Sequence, residues 1–271
     1  VGSEMCIRDS RYSGYSGPGE NGTFGINAMV AATSSEPSWA GMFQTLGAQF
    51  VTAPETLQKK LSRVRALIFD WDGVFNAGQK GEGVTSHFTE PDSMGSNMLR
   101  FGLWLPQRRM PIVAVITGVD NRSAMHLARR EHFHEVYFGI RNKGIAVAHL
   151  CSAHGIRPEQ VACLFDDIND LEMAQACGVR CLMARAASPM FSRYVVSRGL
   201  TDYVTACGPL QHGVREFSEM VLAALGCYDQ VIAARMTWND SYQDYFTQRQ
   251  AILTNFYTQK ADRIRTASNV S

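Results

Sequence analysis

Several things are scarce in this sequence, and each scarcity removes a class of protein. Charged residues make up 19% of the 271 positions, below the ~25% of an ordinary soluble domain. Lys and Arg total 26 against 25 acids, a formal charge of +1, so no global basic field holds nucleic acid and no acidic field repels it. No apolar run reaches the ~18–20 residues of a membrane span; Pro111–Ile116 and Met220–Leu225 are the size of a strand or a short helix. The seven cysteines are an odd number, with no CxxC pair and no metal-type spacing. They read as reduced cytosolic thiols. A hydrophobic content of 45% suffices for a core and excludes wholesale disorder. What remains is a soluble, cytoplasmic globular protein of one or two domains.

The N-terminal quarter differs from the rest. Val1–Ser10 (VGSEMCIRDS) resembles a translated sequencing adapter and is set aside from fold reasoning. Residues 11–52 read as a poorly ordered lead-in, because Arg11–Gly25 is rich in Gly and Ser without apolar periodicity. Asn27–Thr33 is too short, and lacks the preceding basic segment, for a signal peptide. Met29 and Met42 are both candidate starts. Ala53-Pro54-Glu55 opens a short helix over Thr56–Arg63, with Pro near its N-terminus and an acid in its first turn. The folded domain is placed at 53–226. Residues 227–271 read as a helical extension, helical from Tyr228 to about Tyr257, with Trp238, Tyr242, Tyr245 and Phe246 packed on the core or on a partner.

Within the domain, apolar β-branched runs alternate with helical patterns. Strands are expected at Ala66–Phe69, Ile112–Ile116, Val136–Phe138 and Val161–Phe165, and more weakly at Val179–Met183 and Tyr203–Thr205. Helices are expected at Asp120–Arg130 with an Asp cap, Lys143–His154, Asn169–Cys177 and Gly213–Leu225. This alternation predicts an α/β fold, a Rossmann-like three-layer αβα sandwich around a mostly parallel sheet. In such sheets, sites lie outside the carboxyl ends of the strands.

Four motifs sit at those ends. Phe69-Asp70-Trp71-Asp72-Gly73 runs a strand into two acids, and the period-two alternation of a strand puts both carboxylates on one side. Two such charges repel unless a cation joins them, and Mg²⁺ takes carboxylates and backbone carbonyls. An EF-hand loop is excluded: its third acid is missing, and Gly81 stands where the terminal Glu belongs. Thr117-Gly118 offers a hydroxyl and approachable backbone to a phosphate, although Thr-Gly is also an ordinary turn. Lys143 opens a helix against the dipole, which a bound phosphate would explain and a solvated surface lysine would equally allow. Phe165-Asp166-Asp167-Ile168-Asn169-Asp170 places three acids in five positions, for a cation or for a helix cap. The order matters more than any member. Acid pair, Thr, Lys, acid cluster is not the order of a response-regulator receiver, in which the second acid precedes Thr and Lys.

At these residues the sequence resembles the haloacid dehalogenase (HAD) superfamily of phosphohydrolases. Within it, the resemblance is to the capless 3-deoxy-D-manno-octulosonate-8-phosphate (KDO-8-phosphate) phosphatases. It spans about Arg65 to Gly226 and rests on DWDGVF, FTEPDSMG at Phe88–Gly95, VITG, Lys143, DDIND, and His212-Gly213-Val214-Arg215-Glu216, which is similar to the family's GAVRE. The resemblance implies a Mg²⁺-dependent phosphomonoester hydrolase of a small phosphorylated metabolite, with a place in lipopolysaccharide biosynthesis. By the same resemblance Asp70 is the nucleophile and Asp72 the general acid and base. Asp70, Asp72 (through its carbonyl) and Asp166 hold the metal; Thr117, Gly118 and Lys143 bind the phosphoryl group. Asp170 supports the metal, Asp167 orients Lys143, and Asp92 and Arg215 contact substrate or a neighbouring subunit. Only Phe75–Pro91 separates the first motif from the next helix, which is enough for a β-hairpin around Gln79–Thr89 and not for a cap. Capless relatives complete the site with a neighbour, implying a homo-oligomer, a tetramer by resemblance.

Three positions depart from the family pattern: Phe165 replaces a Gly, Ala77 replaces an acid, and Gly208–Gly213 replaces a Gly-rich run. The first is expected to narrow the metal site; together they leave the substrate open. Two other readings stand beside the sugar phosphatase. One is a catalytically silent HAD module acting through assembly or binding. The other is a capless phosphatase of nucleotides or phosphoproteins.

Overall fold

The computed structural model describes residues 38–84 and 86–267; the adapter-like stretch and most of the lead-in lie outside them. Along the chain run α1 (Trp39–Leu46), β1 (Gln49–Phe50), α2 (Pro54–Leu61), β2 (Ala66–Phe69), α3 (Glu90–Trp104), β3 (Ile112–Ile116), α4 (Arg122–Arg130) and β4 (Glu135–Phe138). There follow α5 (Lys143–His154), β5 (Val161–Phe165), α6 (Leu171–Gln175), β6 (Val179–Leu182), α7 (Pro189–Ser197), β7 (Tyr203–Val204) and α8 (Gly213–Ala224). The chain finishes with α9 (Tyr228–Thr237), α10 (Asp240–Gln250), β8 (Asn255–Lys260) and β9 (Arg263–Thr266). The strands form one sheet in the order β1-β7-β6-β5-β2-β3-β4-β8-β9. Every pairing from β7 to β8 is parallel, and only the edge strands β1 and β9 are antiparallel.

Alternation along the central strands builds both cores. In β2, Leu67 and Phe69 join Val113, Val115 and Leu164 beneath α2, α3, α4 and α8. Ala66 and Ile68 turn the other way with Ile116, Cys163 and Phe165, against α5, α6 and α7. Strands buried on both faces read as continuous apolar runs, which is why Ala66–Phe69 and Val161–Phe165 are legible from sequence. Each large side chain taken out of water contributes about 1.5–3 kcal/mol. Among the described residues no single helix is long and apolar enough to cross a membrane. The helix expected from Asp120 begins instead at Arg122, because Asn121, not Asp120, accepts the capping hydrogen bond, from Ala124 N–H.

Three expectations are corrected. The lead-in was placed at 11–52, yet from Trp39 onward it is ordered: β1 pairs with β7, and Phe50 packs edge-on against Tyr203 at 4.9 Å. Asp202 holds this segment. Its carbonyl accepts Val51 and Thr52 N–H, and its carboxylate accepts Thr52 Oγ1 and Lys60 Nζ, both at 2.7 Å. The C-terminal segment is helical only to Gln250. Trp238 takes a left-handed φ of 49° and ends α9, Asn239 caps α10, and the chain then adds β8 to the open edge of β4. Tyr257, expected at the end of the helix, instead stacks on Tyr137 at 5.0 Å across the β4–β8 pair. The described part of the extension belongs to the same compact unit as the rest of the described chain.

The third correction concerns the hairpin. No cap domain follows β2, as expected, but among the described residues from Ala77 to Thr89 none is paired in a strand. The segment turns at Gly81, whose carbonyl accepts Val84 N–H. It returns at Ser86, whose hydroxyl accepts from Trp71 Nε1 at 2.8 Å. Glycines at 78, 81 and 83 among polar residues favour turns over a ladder.

Candidate active site

The site forms where β2, β3 and β5 end side by side. Beyond Phe69, period-two alternation continues: Trp71 is fully buried in the α8-side core, so Asp70 and Asp72 face the opposite way, into a pocket of about 580 Å³. The loop after Asp72 is held by Gly73 N–H donating to Asn76 O at 2.9 Å and by Asn76 Nδ2 donating to Trp71 O at 3.2 Å. Gly73 sits at φ 94°, and a Cβ there would overlap the Asp166 carboxylate, so glycine is required on two grounds.

Asp70, Thr117, Lys143, Asp166 and Asp170 are all buried, and all of them line this pocket with Asp72, Gly118 and Asp167. Thr117 is fixed by its backbone: its N–H donates to Tyr137 O at 2.8 Å and its carbonyl accepts from Ile140 N–H at 3.2 Å. Lys143 follows Asn142, whose side chain caps α5 at Ile145 N–H. Its ammonium reaches between Asp70 and Asp170 and donates to both. The second oxygen of Asp170 accepts the N–H groups of Asp166 and Asp167 at 3.2 and 3.3 Å, shaping the acid loop.

The electrostatics follow from burial. Burial, reinforced by Asp170, raises Asp70 from the usual carboxylate range to about 6, with Lys143 pulling the other way. Burial, with Asp70 and Asp170, raises Asp166 to about 8, and Arg185 opposes. Burial alone would lower Lys143, but Asp70 and Asp170 outweigh it and hold the ammonium charged. Asp70, Asp166 and Asp170 each offer an oxygen within 4.8 Å of the others. Buried carboxylates this close lack sufficient positive charge among themselves, and Oδ1 of Asp72 is buried without a partner. An all-oxygen acidic set of this kind suits a hard divalent cation.

Two sequence expectations are resolved differently, and two further residues lie away from the pocket. Asp167 does not orient Lys143: it accepts from its neighbour Ile168 N–H at 2.7 Å and from Arg185 Nη1 at 3.0 Å, while Asp170 takes the orienting place. Phe165 does not narrow the site; its ring is fully buried in the core beneath α5 and α6, since it alternates away from Asp166. Asp92 and Arg215 are not brought to the pocket. Asp92 is fully buried at the start of α3, where it accepts Arg215 N–H at 3.1 Å and Thr89 Oγ1 at 2.7 Å, and so ties α3 to α8. The Arg215 guanidinium pairs with Glu219 at 2.7 Å one turn along α8.

Three basic residues on the rim, Lys80, Arg141 and Arg185, carry no assignment from sequence. Arg185 contacts both Asp166 and Asp167, and Lys80 contacts Asp72. Arg185 follows the end of β6, itself only a weak candidate from sequence, and the rule that sites lie beyond strand ends would have found it. Lys80 lies in the turn-rich insertion, where no sequence signal points inward.

Comparison with known proteins agrees with this geometry. The haloacid dehalogenase-like hydrolase family matches residues 124–193. A 3-deoxy-D-manno-octulosonate 8-phosphate phosphatase of Haemophilus influenzae is 29% identical over 175 residues, covering 63% of this chain and 89% of that protein. Among solved structures, a hypothetical protein from Xanthomonas campestris is 30% identical with a TM-score of 0.56, over 67% of this chain and 92% of that one. The cobalt-bound form of the Haemophilus influenzae deoxy-D-mannose-octulosonate 8-phosphate phosphatase is 26% identical with a TM-score of 0.54, over 69% and 99%. With its acids, threonine and lysine gathered at the ends of a parallel sheet, the chain belongs to the haloacid dehalogenase superfamily, as a phosphatase similar to the KDO-8-phosphate phosphatases.

Proposed function

We propose that the chain is a Mg²⁺-dependent phosphomonoester hydrolase of a small, anionic sugar phosphate of the KDO-8-phosphate type, working through a phosphoryl group carried on Asp70. One observation carries this reading: Asp70 is buried at the pocket floor, in contact with Lys143 and clustered with Asp166 and Asp170. An Asp70 oxygen attacks phosphorus as the bond to the sugar oxygen breaks, and Asp72 gives that oxygen its proton. Asp72 then takes a proton from water as the water oxygen attacks phosphorus, the Asp70–phosphorus bond breaks and inorganic phosphate leaves. Lys143 and Thr117 face the phosphoryl oxygens and offset charge that grows in the transition state. Asp70, Asp166 and the Asp72 carbonyl would hold the divalent ion, with Asp170 in support. When bound, that ion neutralises charge on the phosphoryl group.

Lys80, Arg141 and Arg185 around the pocket fit a substrate with a second negative group, such as a sugar acid. The silent-module reading rests on Phe165 and on the added C-terminal segment; the Phe165 ring lies in the core, which removes the first of these grounds. The exposed insertion from Ala77 to Val84 and the absence of a cap support a homo-oligomer, a tetramer by resemblance, in which a neighbour shelters the pocket. The six described cysteines are free, which accords with a reducing, cytoplasmic location. The test is phosphate release from a panel of sugar phosphates, nucleotides and phosphopeptides, with Mg²⁺ and with chelator. Release from sugar phosphates that chelator abolishes is expected. Preference for nucleotides or phosphopeptides would overturn the substrate class, and no release at all would overturn the enzyme.

A further inference from the structure

The C-terminal hairpin lies beyond Arg65–Gly226, the stretch that carries the family resemblance, yet it reaches the active-site loop. β8 runs parallel to β4 with Thr258 opposite Phe138, so the next residue, Gln259, passes the end of β4 where the chain turns toward Lys143. There Oε1 of Gln259 accepts two backbone hydrogen bonds, from Arg141 N–H at 2.9 Å and Asn142 N–H at 3.3 Å. Its Nε2 donates to Ala261 O at 2.9 Å, fixing the amide to its own turn. Gly139 opens the loop at φ 64°, and a Cβ there would stand 3.3 Å from Thr258 Oγ1, so β8 packs closely along the loop's start. On the other side the loop is tied to β3 by Ile140 N–H and Thr117 O at 3.2 Å.

We infer that Gln259 is a positioning residue for the phosphate-binding loop. It fixes Arg141 and Asn142, and through them the α5 N-terminus that aims Lys143 at Asp70. The inference rests on the phosphatase reading of Lys143. Loops without such anchors sample many conformations, and small misplacements of a catalytic group lower rate strongly. Two backbone hydrogen bonds are worth roughly tenfold in loop opening. Gln259 thus ties an element outside the resemblance to the reaction centre.

The test compares Gln259→Leu with Gln259→Glu, reading amide hydrogen exchange at Arg141 and Asn142 without substrate, and steady-state turnover with Mg²⁺. Glu keeps the accepting oxygen and loses only the donor to Ala261. In Gln259→Leu the two amides should exchange about tenfold faster and kcat should fall about tenfold, with KM within about threefold; Gln259→Glu should restore both. Protection at Phe256–Thr258 reports that the hairpin stays folded, and Gln259→Met substitutes for Leu if it does not. Unchanged exchange at Arg141 and Asn142, or faster exchange with undiminished kcat, would overturn the positioning role. A wild-type chain inert on every phosphoester would instead sink the phosphatase reading on which it stands.

Discussion

Replacing Lys143 by Met separates catalysis from folding. The ammonium is buried, its side chain 5% exposed, between Asp70 and Asp170, themselves 6% and 2% exposed. Taking one partner from a buried ion pair costs about 3–5 kcal/mol when the remaining charge stays ionised. Here that figure is a ceiling, because Asp70 already sits near 6. At neutral pH, protonating a group with that pKa costs about 1.4 kcal/mol, and losing Lys143 lowers even this. The variant should therefore fold with reduced stability, and the deficit should shrink as pH falls and Asp70 takes up its proton. Catalysis has no such escape. A lost donor to a developing oxyanion lowers kcat about 10²–10³-fold, and neither added salt nor lower pH replaces it. Urea unfolding at pH 7 and pH 5.5, beside kcat with Mg²⁺ at saturating substrate, reads both. A kcat within tenfold of wild type in a folded variant would refute the placement of Lys143 at the phosphoryl group.

Asp202 accepts three donors from Arg180, besides Thr52 and Lys60, with no exposure of its own. Asp202→Asn should lower stability at pH 7 by about 2–3 kcal/mol, read as a lower urea midpoint with unchanged slope. Hydrogen bonds from Arg180, Lys60 and Thr52 lower the folded pKa of Asp202 despite burial. The wild-type advantage is therefore full above the unfolded value near 3.8 and disappears as pH falls through the folded one. His134 accepts Val113 N–H at 3.2 Å, and burial, with Arg100 and His154 adding, lowers it to about 3. The unfolded imidazole binds a proton below about 6.5 and the folded one only near 3, so stability falls on acidification across that window; His134→Asn should flatten the pH dependence of the urea midpoint between 7 and 5. Gly95→Val should cost about 1–3 kcal/mol, seen as a lower melting temperature, because even a Cβ there would stand 3.0 Å from Arg215 Cα.

Sequence legibility followed burial and local chemistry. The central strands were readable because both faces are covered, and Lys143–His154 because Asn142 caps it and Gly155, at φ 60°, ends it. The acids, threonine and lysine were readable because each follows a strand. Tertiary pairing was not. β8 pairs with the open edge of β4, and the residues just after β1 are held by Asp202, 150 residues beyond Thr52. Which core Phe165 faces depends on the phase of β5, which no single residue announces. Arg185 and Gln259 act across long sequence separations on neighbours that only the sheet order brings near.

A phosphoryl group carried on Asp70 can be trapped chemically. Borohydride reduces an aspartyl phosphate to homoserine, so rapid quenching of the turning-over enzyme with borohydride, followed by peptide mass spectrometry, identifies the residue. Homoserine at position 70, formed only with both Mg²⁺ and a sugar phosphate and absent in Asp70→Asn, is the predicted result. Modification at another residue, or turnover with position 70 unmodified and Asp70→Asn still active, would contradict the account.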